Sequence, residues 1–383
     1  MSVRSRLKLN APGAAKMYYP LGYRPALDGL RAMAIVPVIL FHGGAPGFAW
    51  GYIGVDVFFV ISGYLITAIL LHEYTQTGWI SLLAFYRRRA LRLLPALAVL
   101  CLVFFCLSCA VLRNPKQAAA EVAAVVFYMA NWTRAVGAGI PKALGHTWSL
   151  SVEEQFYMVW PLGILALLRI RPSNRLAIGA VLSLVLLVMF WRAYLTFRGG
   201  PVNRLYFGTD TRADEILIGA ALALVLSIPR AALWLSTIAR HLWFAAAVAV
   251  VAVPALLPWF DRRMFYAGYS MVAVAVAIIV TGALDDGLLA RLLGRPALVW
   301  IGRRSYGLYL WHYPIMLLCL LEFHVPEGVV LTIIEGAGAC ALAGLSYRFI
   351  ERPALQLRYR RLIPSNSAGG AVMQDRLAGW HAD

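Results

Sequence analysis

The stretch Ala26-Leu-Asp-Gly-Leu-Arg31-Ala-Met-Ala-Ile-Val-Pro-Val-Ile-Leu-Phe-His42 decides the class of fold. It has the hydrophobicity and length of a membrane span, and it carries two groups that are costly inside one. Arg31 and His42 are eleven residues apart. On an α-helix that is about three turns, a net rotation near 20° and a rise of about 16 Å. Both side chains therefore fall on one face, the Arg toward one membrane surface and the His toward the other. A fixed cation below and a titratable base above suit an anionic reagent held on one side and proton chemistry on the other. The competing reading is an Arg snorkelling to a headgroup and a His closing a helix.

Composition extends the reading to the whole chain. Of the 383 residues, 61% are hydrophobic and 14% charged, and the mean hydropathy is +0.71. These values exclude a soluble globular domain and predict a polytopic membrane protein. The net charge of +17 comes from basic residues in short loops between apolar runs. That placement follows the positive-inside rule and argues against nucleic acid as a partner. The five cysteines, all in apolar runs, lack metal-ligand spacing and read as small hydrophobes; no metal site is expected.

Apolar runs long enough to cross lie at about 26–45, 52–71, 92–112, 148–168, 176–196, 213–228, 242–259, 265–283, 305–321 and 328–349. The run 118–130 is short and holds Glu121. If it crosses, the later arginine clusters face outward, so it is expected to be re-entrant or to lie on the surface. The predicted fold is all-α, a bundle of about ten transmembrane helices with both termini in the cytoplasm. Residues 1–23 form a basic N-terminal tail, 24–355 the membrane domain, and 356–383 a basic C-terminal tail expected to be disordered. No signal-peptidase site follows the first run, so it is expected to remain as an uncleaved span.

Several motifs then offer chemistry. Asp56, in Gly54-Val-Asp-Val-Phe-Phe-Val-Ile-Ser-Gly63, lies near His42 across a Gly-rich turn and could fix its tautomer, or merely offset a helix dipole. Ser62 and Gly63 read as helix-packing residues. Arg87, Arg88, Arg89 and Arg92 supply four guanidiniums in six residues. They suit a phosphate-rich ligand such as a coenzyme A ester, or anionic headgroups. His146-Thr-Trp-Ser-Leu-Ser-Val-Glu153-Glu154 enters the fourth run from outside. Tyr206, Phe207, Asp210, Arg212, Asp214 and Glu215 suit either sugar binding or a salt-bridged loop. Tyr309 and His312 open the ninth run, and Glu351-Arg352 reads as an ion pair at the interface.

Together these motifs resemble the acyltransferase-3 family, multispan bacterial O-acyltransferases that acetylate extracytoplasmic carbohydrates. The resemblance covers about residues 24–355 in the family's order. It rests on Leu27-Asp-Gly-Leu-Arg31-Ala with His42, on the Asp56 segment, on the arginine run, on Trp148-Ser-Leu-Ser-Val-Glu153-Glu-Gln-Phe-Tyr, on Ser305-Tyr-Gly-Leu-Tyr309-Leu-Trp-His312, and on Tyr347-Arg-Phe-Ile-Glu-Arg-Pro353. The family's Arg–His pair falls on Arg31 and His42, and its Arg-x-x-Arg pair on Arg89 and Arg92. Some members carry an appended extracytoplasmic esterase-like domain, which this sequence is not expected to contain.

The resemblance implies an enzyme of the bacterial inner membrane. It would move an acyl group, by expectation acetyl, from cytoplasmic acyl-CoA to a hydroxyl of an extracytoplasmic carbohydrate or glycolipid. Acyl-CoA is then a co-substrate, and no bound cofactor is expected. His42, Asp56 and Arg31 form the expected catalytic set, Arg87, Arg88, Arg89 and Arg92 the donor site, and Glu153, His312 and Tyr309 the supporting polar groups. A secondary transporter for small anions or glycan precursors is the alternative.

Overall fold

The computed structural model describes residues 22–112, 114–170 and 173–360. Most of both expected tails lies outside these residues. The secondary structure of the described part is entirely helical, and each of the ten apolar runs coincides with one long helix. These are α1 (Pro25–His42), α2 (Gly54–Thr77), α3 (Leu82–Leu107), α6 (Trp148–Ile170), α7 (Asn174–Phe197), α9 (Thr209–Leu226), α10 (Pro229–Leu256), α11 (Tyr269–Leu284), α14 (Ser305–Leu321) and α15 (Val329–Ser346). Shorter helices connect them: α4 (Pro115–Val126), α5 (Ala130–Ala135), α8 (Val202–Phe207), α12 (Leu288–Leu293) and α13 (Pro296–Arg303), with α16 (Arg352–Arg360) at the end. The last five residues of α16 belong to the expected C-terminal tail and are helical, because the helix continues from α15 without a break.

Seven of these segments are long and apolar enough to cross a membrane. The other three runs fall short for identifiable reasons. Helix α14 has only 17 residues, whereas α6 and α9 carry charged residues within their apolar length. Helix α4, which covers most of the ambiguous run, has 12 residues. Its rise of about 18 Å is well below a hydrocarbon core of about 30 Å. Asn114 caps it by accepting from the Gln117 N–H at 3.2 Å.

The burial pattern separates centre from rim. The apolar windows of α2 and α11 are 78% and 72% buried, but those of α7 and α10 only 22%. The rim helices turn Leu102, Phe105, Leu187, Phe190, Phe244 and Val248 outward. An apolar exterior of this kind requires a hydrocarbon solvent. Helix α2 packs on α1, α9, α11 and α6. Its approach to α9 is possible because Gly63 and Gly219 interlock: a Cβ on Gly63 would lie 1.8 Å from the Ile216 carbonyl oxygen, and one on Gly219 2.1 Å from that of Val60. Gly63 thus has the packing role expected of it. All five cysteines are free; Cys101 and Cys319 are buried, but Cys106 and Cys340 face outward.

Candidate active site

Charged side chains inside the bundle fall into two kinds. In the first kind, arginines and carboxylates pair with one another. Arg192 of α7 uses all five of its N–H donors: two to Asp214 at 2.7 and 2.9 Å, and one each to the Phe265 carbonyl, the Thr211 carbonyl and the Ser270 hydroxyl. Arg212 of α9 donates to Asp56 Oδ1 at 2.6 Å and to Glu215 Oε1 at 2.7 Å. Its guanidinium lies 4.0 Å above the Tyr269 ring. All five charged groups are 0% exposed.

This arrangement corrects one expectation. Asp56 does not orient His42; its paired oxygen belongs to Arg212, and Oδ2 has no partner. The reason is helical direction. Asp56 sits on the α2 face that packs against α9, where an arginine supplies the countercharge. Of the segment offered for sugar binding or salt bridges, Asp210, Arg212, Asp214 and Glu215 are salt-bridged, whereas Tyr206 and Phe207 border the cavity that holds His42. Glu351 also departs from expectation, accepting a hydrogen bond from Ser346 at 3.0 Å where an ion pair with Arg352 was predicted.

The second kind lines cavities. A basic cavity of about 90 Å³ is bordered by Arg31 of α1, Ser62 of α2, Arg89 and Arg92 of α3, and Glu153 and Glu154 of α6. Arg89 and Arg92 are three residues apart and so share a helix face. Arg89 lies 5.1 Å over the Tyr157 ring, and Ser62 donates to Glu153 Oε1 at 2.6 Å. Arg88 turns away to pair with Glu73 at 3.1 Å, and Arg87 is exposed. Neither borders the cavity, which narrows the basic set to Arg31, Arg89 and Arg92.

His42, at the end of α1, lies in a different chamber, as its helical distance from Arg31 requires. Its Nδ1–H donates to the Val38 carbonyl at 2.9 Å, with His312 Nε2 at 3.3 Å from the same atom. His312 in turn donates from Nδ1 to the Tyr309 carbonyl at 2.7 Å. These partners put the proton of each ring on Nδ1 and leave Nε2 of His42 as its basic atom. His312 thus holds the place that the sequence suggested for Asp56. His146, on the turn before α6, completes the group: its ring is 5.5 Å from that of His312 and 5.1 Å from that of Tyr313, centre to centre. Both of its ring nitrogens are buried without a partner.

The two cavities meet at Val55 and Tyr309, which border both. The Tyr309 hydroxyl, 2.6 Å from Ser149 Oγ, donates to the His146 carbonyl, also at 2.6 Å. Glu154 and His146 line the cavities without having been assigned a role from the motifs, and Ser62, expected to serve helix packing, lines the basic cavity instead. Each stands in a quoted motif, and His146 lies two residues before Trp148.

A basic cavity that meets a histidine chamber at Val55 and Tyr309, within a helical membrane bundle, accords with what the chain resembles. Residues 24–343 match the acyltransferase-3 family, described as an acyltransferase domain. The chain belongs to this family of acyltransferases. It is 36% identical over 358 residues to the protein named peptidoglycan O-acetyltransferase OatA of Listeria monocytogenes, covering 88% of this chain and 56% of that one. The O-acetyltransferase OatA of Staphylococcus aureus is 36% identical over 359 residues, 88% of this chain and 58% of its own length. The putative peptidoglycan O-acetyltransferase YrhL of Bacillus subtilis is 36% identical over 352 residues, 86% and 55% respectively. The chain thus spans a little over half the length of these relatives. No solved structure matches it.

Proposed function

We propose that this family member is an integral-membrane O-acyltransferase of the bacterial cytoplasmic membrane, acting from acyl-CoA on an extracytoplasmic carbohydrate or glycolipid. The observation that carries this reading is the meeting of a three-arginine cavity with a histidine chamber at Val55 and Tyr309. Acetyl is the group we assign, in keeping with the activity in the names of the relatives. Ten spans with both termini in the cytoplasm put the basic cavity inside and His42 outside. This arrangement also keeps the arginine-rich segments at 87–92, within α3, and 291–304, through α12 and α13, on the cytoplasmic side, with α4 as a re-entrant or surface helix.

In this mechanism the CoA phosphates bind Arg89 and Arg92, with Arg31 deeper in the cavity. The pantetheine arm reaches past Tyr309 toward His42. As general base, His42 Nε2 takes the proton of an acceptor hydroxyl while that oxygen forms an ester bond to the acyl carbon. The carbon–sulfur bond breaks, and the departing thiolate takes the proton from His42, so that CoA leaves as the free thiol. A transient acyl-imidazole on the same nitrogen is the covalent variant of this route. In either, His312 Nε2 lies beside the Nδ1–H of His42 and holds the ring's orientation. Bilayer vesicles containing the protein are expected to release free CoA from acetyl-CoA and to form an acylated sugar in equal amount. A transporter would produce neither.

A further inference from the structure

A third cavity, of about 600 Å³, adjoins the histidine chamber. Arg134 and Tyr313 border both. Asn114, Gln117 and Lys142 also line it, together with Glu121. The carboxylate of Glu121 is already used: Oε2 accepts from the Ala143 and Leu144 N–H groups at 3.0 and 3.3 Å, and Oε1 from Gln117 at 3.2 Å. The cations are not so balanced. Lys142 is exposed. Arg134 sits over the Phe207 ring at 4.4 Å and donates from one terminal nitrogen to the Pro141 carbonyl at 3.2 Å. Its Nε is buried with no partner, and no carboxylate of the described residues pairs with it. Arg192 and Arg212, the fully buried arginines, each hold a carboxylate.

The backbone beside this guanidinium is a glycine. A Cβ on Gly145 would lie 2.6 Å from an Arg134 terminal nitrogen, so a glycine immediately before His146 leaves it room. Arg134 as a whole is half-buried, but its buried Nε–H without an acceptor costs free energy unless a ligand completes it. The Asn114 and Gln117 amides bond to each other and to Glu121, whereas the two cations without a carboxylate and the passage toward His42 describe a site for an anion that carries a hydroxyl to the chamber. We propose that this cavity is the acceptor site, and that Arg134, with Lys142, binds a carboxylate or phosphate group of the acceptor glycan so that a nearby hydroxyl enters the histidine chamber past Tyr313. Arg134 is then a residue that sets specificity, distinct from the groups that move the proton. The proposal rests on the O-acyltransferase reading.

Its test is equilibrium binding to the full-length protein in nanodiscs, with cellobiose, cellobiouronic acid and cellobiose phosphate as probes. The wild type is expected to bind the carboxylate or the phosphate form at least about tenfold more tightly than the neutral sugar, the size of a charged hydrogen bond. Whichever is preferred identifies the anionic group. Arg134→Gln should reduce the preference to within about twofold, and Arg134→Lys should restore part of it. Because Arg134 also braces Pro141, Lys142→Gln supplies an exposed second variant, with an expected drop of about two- to fourfold. Equal binding of the three sugars by the wild type, or a preference unchanged in Arg134→Gln, overturns the proposal. Retention of phosphatidylglycerol that depends on Arg134, without discrimination among sugars, would assign the cavity to lipid and overturn it as well. Charge-selective sugar binding without CoA release would instead refute the O-acyltransferase reading and leave the anion site standing.

Discussion

The Arg192–Asp214 and Arg212–Asp56–Glu215 networks differ instructively from the arginines of the basic cavity. Both regions hold several charges within an apolar bundle. In the first, every guanidinium meets carboxylates at 2.6–2.9 Å and no charged side chain is exposed. In the second, Arg31 reaches Asp28 only at 3.6 Å, and Arg89 rests on the Tyr157 ring. Charges that satisfy one another hold helices together. Charges left incomplete beside a cavity are available to a ligand. The contrast assigns roles that residue type alone does not.

Breaking a mutually paired network should give the largest effect. Arg212→Ala leaves Asp56 and Glu215 uncompensated in the interior, and a loss of about 3–5 kcal/mol is expected. Thermal unfolding of detergent-purified protein measures it, and a variant as stable as the parent would erase the distinction between the two regions. Asp56→Asn probes the same network more gently, and its effect is expected on unfolding in preference to the proton-transfer step.

His42→Ala should do the reverse. Unfolding and acyl-CoA binding are expected to stay near wild type, because His42 lies about 16 Å of helix rise from Arg31. Turnover should fall by at least about 10², the scale of a lost base or nucleophile. Free CoA and acylated product, both quantified, decide the matter; near-normal turnover would move the search to His146 and His312. The same rate should decline on acidification in the wild type, since a protonated Nε2 cannot accept the acceptor's proton.

The donor site sharpens the comparison from its other side. Arg89→Ala or Arg92→Ala is expected to weaken acyl-CoA binding by about 1.5–3 kcal/mol per lost charged contact. Lysine at either position should recover only part, because an ammonium cannot reproduce a planar fork. Arg88→Ala should leave binding nearly unchanged, since its partner is Glu73. Unaltered affinity in both alanine variants would return the cluster to lipid headgroups.

At the small end is the pair Arg240–Asp285, where the arginine side chain is 63% exposed. Arg240→Gln is expected to change stability by less than about 1 kcal/mol, as solvent-exposed pairs do. A larger shift would mean that mutual pairing by itself does not separate the two kinds of charge.

The sequence by itself determined the helical membrane character and the separation of Arg31 from His42. Hydropathy and helical rise are local properties, and a run of apolar residues has few other options in lipid. It also marked Arg89, Arg92, Glu153, Tyr309 and His312 through their motifs. Tertiary structure alone decided which charges neutralise one another. Asp56 lies close to His42 in sequence, yet its helix face turns to Arg212, 156 residues further along the chain. His312 comes beside His42 across 270 residues, and Arg134 reaches the same chamber from a six-residue helix that carries no hydropathy signal. Pairing across helices depends on their rotation and packing, and close approaches such as that of Gly63 to Gly219 set these only once the whole bundle has formed.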